Sequence, residues 1–545
     1  MYSKKIVIKY AINPFNLYEK NELLWNNIKL IFNISYVISS LILSNYFVNL
    51  LNFKSNYKTK KQHKNKKVPL KNSQKDKEKI EIFIGKNSQN SKKIFIPEKG
   101  LYQNILITGT IGSGKTSSAM YPITKQLLEY STDYKNKIGI LLLDVKGNYY
   151  KQVKKFAYEC GRIDDVVVIE IGGKFKYNPL DKPNLKPSVL ANRLRTILDL
   201  FSGESTESYW TDKSEQILSE CIKFCRIYNN GYVNFDEIHK LVTSKEYYNQ
   251  KIEIVRNLFI QNNLSEEERY NLVTALNFFE KEFFKLDQRT ASILKSQITR
   301  ITGCFMSDYQ VSSTFNFKKC EGNFIDLNQI INDGKIVVLN MNIAQYKNLS
   351  KIISAYLKLD FQSEVLSRLS EKNKNKDRAV AFISDEYQEY ITETDGDFYA
   401  QSREAKCINI VATQSYTSLL KTLKNESTLK VITQNLINKI WFRTDDIYTI
   451  EEAQKQIGQE EKEKISKSIS ENARETKYSP ISKIFKSKDS NISESISSSY
   501  EKDYLYDVGF FTQELETFYA IVFLSDGNKI LKPQKLELIP YFRKA

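Results

Sequence analysis

Eight consecutive residues, Gly109-Thr110-Ile111-Gly112-Ser113-Gly114-Lys115-Thr116, fit the pattern G-x-x-x-x-G-K-[ST]. Each residue type has a chemical reason to be there. Glycines let the main chain curl so that successive N–H groups point at phosphate oxygens. A helix starting at the end of such a loop adds its positive pole. Lys115 then supplies a point charge for the β- and γ-phosphates, and the Thr116 hydroxyl is a magnesium ligand. Such a site also needs a carboxylate for the metal and a base for the attacking water. Two acids end apolar runs: Asp144 after ILLL and Asp385 after AVAFIS. Asp385 is the better choice for the metal, because Glu386 beside it supplies the base. Asp144 and Lys146 are expected at the rim of the nucleotide site, the alternative being a turn closure. Gln414 ends a later apolar run, INIVATQ, and is expected to sense the γ-phosphate or position water. Arg403 is a candidate arginine finger for a neighbouring subunit, with a surface ion pair as its plain alternative.

These residues need strands to hold them. Asn104–Thr108 reads as a buried strand running into the glycine loop, and Ser117–Tyr130 as the helix leaving it. Lys137–Leu143, Val166–Ile171, Lys335–Met341, Arg378–Ser384, Ile408–Thr413 and Phe518–Phe523 are further apolar runs, too continuous for a half-exposed sheet. Strand and helix alternate, which predicts a parallel α/β sheet covered on both faces. Lys115 and Asp385 lie 270 residues apart. Something large is therefore expected between neighbouring strands. The stretch 186–309, rich in Leu, Glu, Lys, Gln and Ile at helical spacing, is the predicted all-α insert. The nucleotide-binding domain is then split into 80–185 and 310–545. A Ser/Lys-rich low-complexity segment at 465–499 is expected to be a mobile insertion.

The chain has 545 residues, with 81 Lys+Arg against 64 Asp+Glu. Six cysteines argue against a disulfide-stapled scaffold, and two histidines, His63 and His239, nearly exclude a His-based metal site or a Ser-His-Asp triad. Leu30 to Phe53 is a run of 24 residues without a charge, long enough as a helix to cross a bilayer despite its Asn and Ser content. The linker 54–79 that follows carries 11 lysines and two acids. Dense lysine beside an apolar segment marks the cytoplasmic side and grips anionic lipid. The expected layout is a tail and transmembrane helix over 1–53, with the bulk of the chain in the cytoplasm at the cell membrane.

The order of motifs resembles a family. ILITGTIGSGKT, LLLDVKG, YNPL at Tyr177–Leu180, a helical insert, ISDEYQEY and SREAKCINIVATQS follow a membrane anchor. This is similar to the coupling ATPases of type IV secretion and conjugation, the TraG/TraD family, over roughly residues 95–545. The resemblance implies a RecA-like P-loop NTPase motor domain with an inserted all-helical domain, using ATP and Mg2+. It implies a ring, a homo-hexamer, at the inner face of the membrane. Its partners would be DNA gripped without sequence preference, a relaxase or effector protein, and subunits of the secretion channel. By position it implies nucleotide binding by Lys115 and Thr116, magnesium at Asp385, water activation by Glu386, γ-phosphate sensing by Gln414 and a finger role for Arg403.

Two other readings compete. A septal-type DNA translocase would share the motor but usually ends in a sequence-reading winged helix, whereas this chain ends in a strand and loop. A membrane docking platform that binds nucleotide without turnover would not need a base at Glu386. The basic charge agrees with a DNA partner, although +9 of the net +17 sits in the 54–79 linker.

Overall fold

The computed structural model describes residues 79–545 apart from 132, 202–207, 262–263, 318–322, 373, 472–491 and 544–545, together with isolated helical positions between 26 and 40. It divides into two units, 1–78 and 79–545. The expected membrane span at 30–53 lies outside the described residues except for a few positions. Among the described residues, no helix is long and apolar enough to cross a membrane.

Thirteen strands of the 79–545 unit form one sheet. In chain order they are β1 (Glu81–Asn87), β2 (Lys93–Pro97), β3 (Ile105–Thr108), β4 (Gly139–Asp144), β5 (Val166–Ile169), β6 (Phe175–Lys176), β7 (Asn323–Phe324), β8 (Ile336–Asn340), β9 (Val380–Ser384), β10 (Cys407–Thr413), β11 (Asn438–Trp441), β14 (Tyr519–Phe523) and β15 (Gln534–Glu537). The ribbon strands β12 (Gln459–Glu471) and β13 (Ile492–Tyr504) stand apart. Across the sheet the order is β2-β1-β15-β14-β11-β3-β10-β9-β4-β8-β5-β6-β7. From β11 to β7 all pairings are parallel; β14, β15, β1 and β2 extend the sheet antiparallel.

The continuous apolar runs are explained by cover on both faces. Along β9, Val380 and Phe382 join the core that includes helices Pro187–Phe201 and Ile343–Ser370. Ala381 and Ile383 join the opposite core, beneath helices Tyr121–Glu129 and Tyr149–Glu159. Alternate residues thus serve opposite faces, as the pleat requires.

Two expectations need correction. The strand carrying Asp385 is not the neighbour of the strand carrying the glycine loop: β10 lies between β3 and β9 and pairs with both. After β3 the chain skips two places to lay down β4, and β9 and β10 later fill the gap. The helical insert consequently leaves the sheet at its far edge, between β6 and β7, which pair Phe175 with Asn323. Its helices run from Pro187 to Phe315, with Cys221 and Cys225 fully buried in its core.

The segment expected to be a mobile insertion is the second correction. Its flanks pair as a ribbon of 13 residues a side, from Gln459↔Tyr504 to Glu471↔Ile492. Serine recurs at every second position in KISKSIS and ISESISS, with isoleucine or a charge between, a period-two signal that low complexity masked. The register sets exposed Ile465, Ile496 and Tyr500 on one face, while Lys464 pairs with Glu501 at 2.5 Å on the other. At the ribbon's base, the Leu505 N–H donates to the Gly458 carbonyl at 3.3 Å.

Candidate nucleotide site

The C-terminal ends of β3, β10, β9 and β4 meet at one edge of the sheet, and the residues with chemistry sit there. The loop after β3 is held by neighbouring strand ends. The Gly109 N–H donates to the Gln414 carbonyl at 3.3 Å, and the Thr110 N–H to the Arg443 carbonyl at 2.9 Å. Ile111 and Gly112 form its exposed crest, while Ser113 is buried and bonds back through its hydroxyl to the Thr110 carbonyl at 2.8 Å. Gly114 has φ +100, and a Cβ there would lie 2.6 Å from the Phe518 ring, so only glycine fits. The chain then enters a wide π-type turn over Lys115–Met120 and continues as helix Tyr121–Glu129.

Lys115 is buried, and its ammonium donates to the Gly109 carbonyl and, at 3.2 Å, to the Thr110 carbonyl. Burial pulls its pKa below the ordinary lysine value, and the charges of Asp385 and Glu386 only partly restore it. The Thr116 hydroxyl donates to the Asp385 carboxylate at 3.2 Å, bridging the two halves of the site.

Glu386 sits in the left-handed region, φ 55 and ψ 45, where a non-glycine residue is strained. One carboxylate oxygen pairs with the Lys146 ammonium. The other accepts from Gln388 and, at 3.1 Å, from Gln414. Burial would raise the pKa of Glu386, but Lys146, Gln388 and Gln414 outweigh it and hold the carboxyl below its usual range. Burial likewise opposes the charge on Lys146, yet Asp385 at 3.5 Å and Glu386 win and raise its pKa.

Asp144 is 2 % exposed, and its two oxygens accept from the N–H groups of Lys146 (3.1 Å), Gly147 (2.8 Å) and Tyr150 (3.0 Å). Its carboxylate closes the turn that aims Lys146, which is the alternative weighed for it from sequence. Arg403 is exposed in the turn before β10, at the opposite edge of the sheet from the glycine loop. Seven strand residues, about 20 Å at 3.3 Å each, separate Arg403 from the glycine-loop end of β10.

Sequence reasoning missed Gln388, which is buried, donates to Glu386 and accepts from the Thr413 hydroxyl at 2.8 Å. It also missed the posts behind the acids. The Tyr390 hydroxyl donates to the Asp385 carbonyl at 3.1 Å, and Tyr387 to Asp395. Asp395 is paired in turn with fully buried Lys358 at 2.5 Å. The tyrosines of ISDEYQEY carried this signal, because a buried tyrosine needs a partner for its hydroxyl.

The donor set suits magnesium. One carboxylate and one hydroxyl are hard oxygen ligands, and no cluster of three or more His, Cys, Asp or Glu able to hold a metal occurs among the described residues. Magnesium is ordinarily held by one or two carboxylates plus substrate phosphates.

No protein-family model matches the chain, and no curated protein matches it in sequence. Solved structures do match in fold. The unbound bacterial conjugative coupling protein TrwBΔN70 aligns with TM-score 0.55 at 12% identity, covering 82% of this chain and 87% of that one. TrwB with the non-hydrolysable GTP analogue GDPNP gives 0.54 at 12%, and TrwB with ADP and Mg2+ gives 0.54 at 13%, each over the same shares. The chain therefore shares the fold of these proteins, a mainly parallel α/β sheet with a helical insertion.

Proposed function

We propose that this chain is a membrane-anchored ATP hydrolase that powers transfer of DNA, or of a protein, into a type IV secretion or conjugation channel. The observation that carries the reading is the meeting of Lys115 and Thr116 with Asp385 and Glu386 at one sheet edge. Solved TrwB complexes with nucleotide and with Mg2+ on the same fold support it.

Lys115 is already at the loop, and a triphosphate would replace its two carbonyl partners as the charge it neutralises. Thr116 and Asp385 would hold magnesium, which would supply positive charge against the charge developing on the phosphates. Glu386, ionised at neutral pH, accepts a proton from the attacking water once Lys146 releases it. Gln414 shares an oxygen of Glu386 and holds the loop through its carbonyl, so it senses both ends of the reaction. Arg403, at the far edge, is the arginine finger for a neighbouring subunit's nucleotide in a hexamer. The N-terminal segment anchors the ring at the membrane, and the helical insert receives a relaxase or effector.

The test is ATP hydrolysis by the 79–545 unit with and without DNA. Single- or double-stranded DNA should raise the rate regardless of sequence. A rate unmoved by either would transfer the reading to protein cargo.

A further inference from the structure

The metal and γ-phosphate side of the glycine loop is closed by β9, β10 and Lys146. On its other side lie β11 and then β14, and there the residue before β14 and the C-terminal segment both return to the loop. The Phe518 N–H donates to the Ser113 carbonyl at 3.2 Å, and the Tyr541 N–H donates to the Ser117 carbonyl at 3.0 Å. Phe518 has φ 72, a strained setting for a bulky side chain, and is held there because its carbonyl also accepts from the Leu538 N–H at 2.8 Å. Phe542 follows, 60 % exposed, with its ring centroid 6.2 Å from Phe518 and 5.4 Å from Tyr541, both edge-on. The Arg543 guanidinium lies 5.6 Å over the Phe518 ring.

Phe542 is thus held nearly at right angles to two aromatic neighbours while more than half of the residue remains exposed to a ligand. In a loop of this type the lysine reaches the β- and γ-phosphates and the loop's N–H groups cradle the α- and β-phosphates. The sugar and base then leave from the end of the loop, beside Ser117, whose carbonyl accepts from the Tyr541 N–H next to Phe542. We propose that Phe542, braced by Phe518 and Arg543, is a stacking platform for the purine base of the bound nucleotide. The inference rests on the nucleotide reading above. Stacking uses the π-face that every base has, so the platform accepts adenine and guanine alike.

The experiment measures binding of ATP, GTP and inorganic tripolyphosphate, each with Mg2+, to the full chain by calorimetry. Phe542→Ala should weaken ATP and GTP alike, by about tenfold, and leave tripolyphosphate unchanged. Phe542→Trp should restore both nucleotides. Undiminished ATP binding by Phe542→Ala would overturn the platform, as would an equal loss for tripolyphosphate, which would make Phe542 a support of the loop. A loss for one nucleotide alone would mean edge recognition and would also overturn it. A wild-type chain that binds neither ATP nor tripolyphosphate would instead overturn the nucleotide reading itself, and the platform with it.

Discussion

The hydroxyl of Thr116 donates to the carboxylate of Asp385 at 3.2 Å, across 269 positions of chain. The contact reaches across β10, which lies between β3 and β9 and pairs with both. Everything else at the site is arranged around this bridge, and it yields several measurable consequences.

Lys146 is the counter-charge of Asp385 and Glu386, with its side chain about half exposed. Replacing it with Met leaves two adjacent, mostly buried acids facing each other. The loss should be about 1–2 kcal/mol, below the cost of breaking a fully buried pair because water screens part of the charge. Denaturation with and without Mg-ADP should show a smaller loss when the ligand is present, since magnesium then supplies the counter-charge. Equal losses in both conditions would show that Lys146 matters for packing alone.

Lys358 and Asp395 are fully buried, and Gln362 and Thr392 complete the hydrogen bonds of the carboxylate. Lys358→Met alone should destabilise by about 3–5 kcal/mol, since it strands a buried charge. The double variant Lys358→Met with Asp395→Asn should be milder than that single one in thermal unfolding. If the two losses simply add, the pair is not coupled.

Lys439 is 3 % exposed in β11, with its ammonium donating to the Leu436 carbonyl at 3.0 Å. Burial pulls its pKa down to about 8. The unfolded chain, near pKa 10.4, binds more protons between those values, so this group makes stability rise with pH from about 8 to about 10.4. Below pH 8 the cost of the buried charge is present in full, about 3 kcal/mol at most from the size of the shift. Lys439→Met should be more stable than the parent at pH 7 and lose the advantage by pH 10.5, as read in urea melts at both pH values. A gain that does not depend on pH would contradict the assignment.

The ribbon's ends are joined where the Gly458 carbonyl meets the Leu505 N–H. Replacing residues 460–503 with a two-residue turn should leave ATP affinity and the melting of the 79–545 unit essentially unchanged. A collapse in either would mean that the ribbon supports the rest of the 79–545 unit.

Much of this site was legible in the sequence because its signals are local. The glycine loop, the two acids and the glutamine each sit at the end of an apolar run, and the structure brings all of them to one edge. Strand order was not legible, since nothing local to β3 or β9 records that β10 comes between them. Asp144 also ends a strand, which leaves both a rim position and a turn closure open for it. Its carboxylate is consumed by three backbone N–H groups, and only the fold of the turn shows that. The ribbon was obscured by composition, although Ser466, Ser468 and Ser470 alternate with Lys467 and Ile469. Phe518 gave no signal at all, because its strain and its closeness to Gly114 come from a strand far away in the chain.

The most direct measurement is on Glu386→Gln, which keeps the size and hydrogen-bonding reach of the side chain and removes its basicity. The variant should bind ATP as the parent does and hydrolyse it at least about a hundredfold more slowly. Hydrolysis at the parental rate would contradict the assignment of the base, and with it the account of this edge of the sheet as a site of turnover.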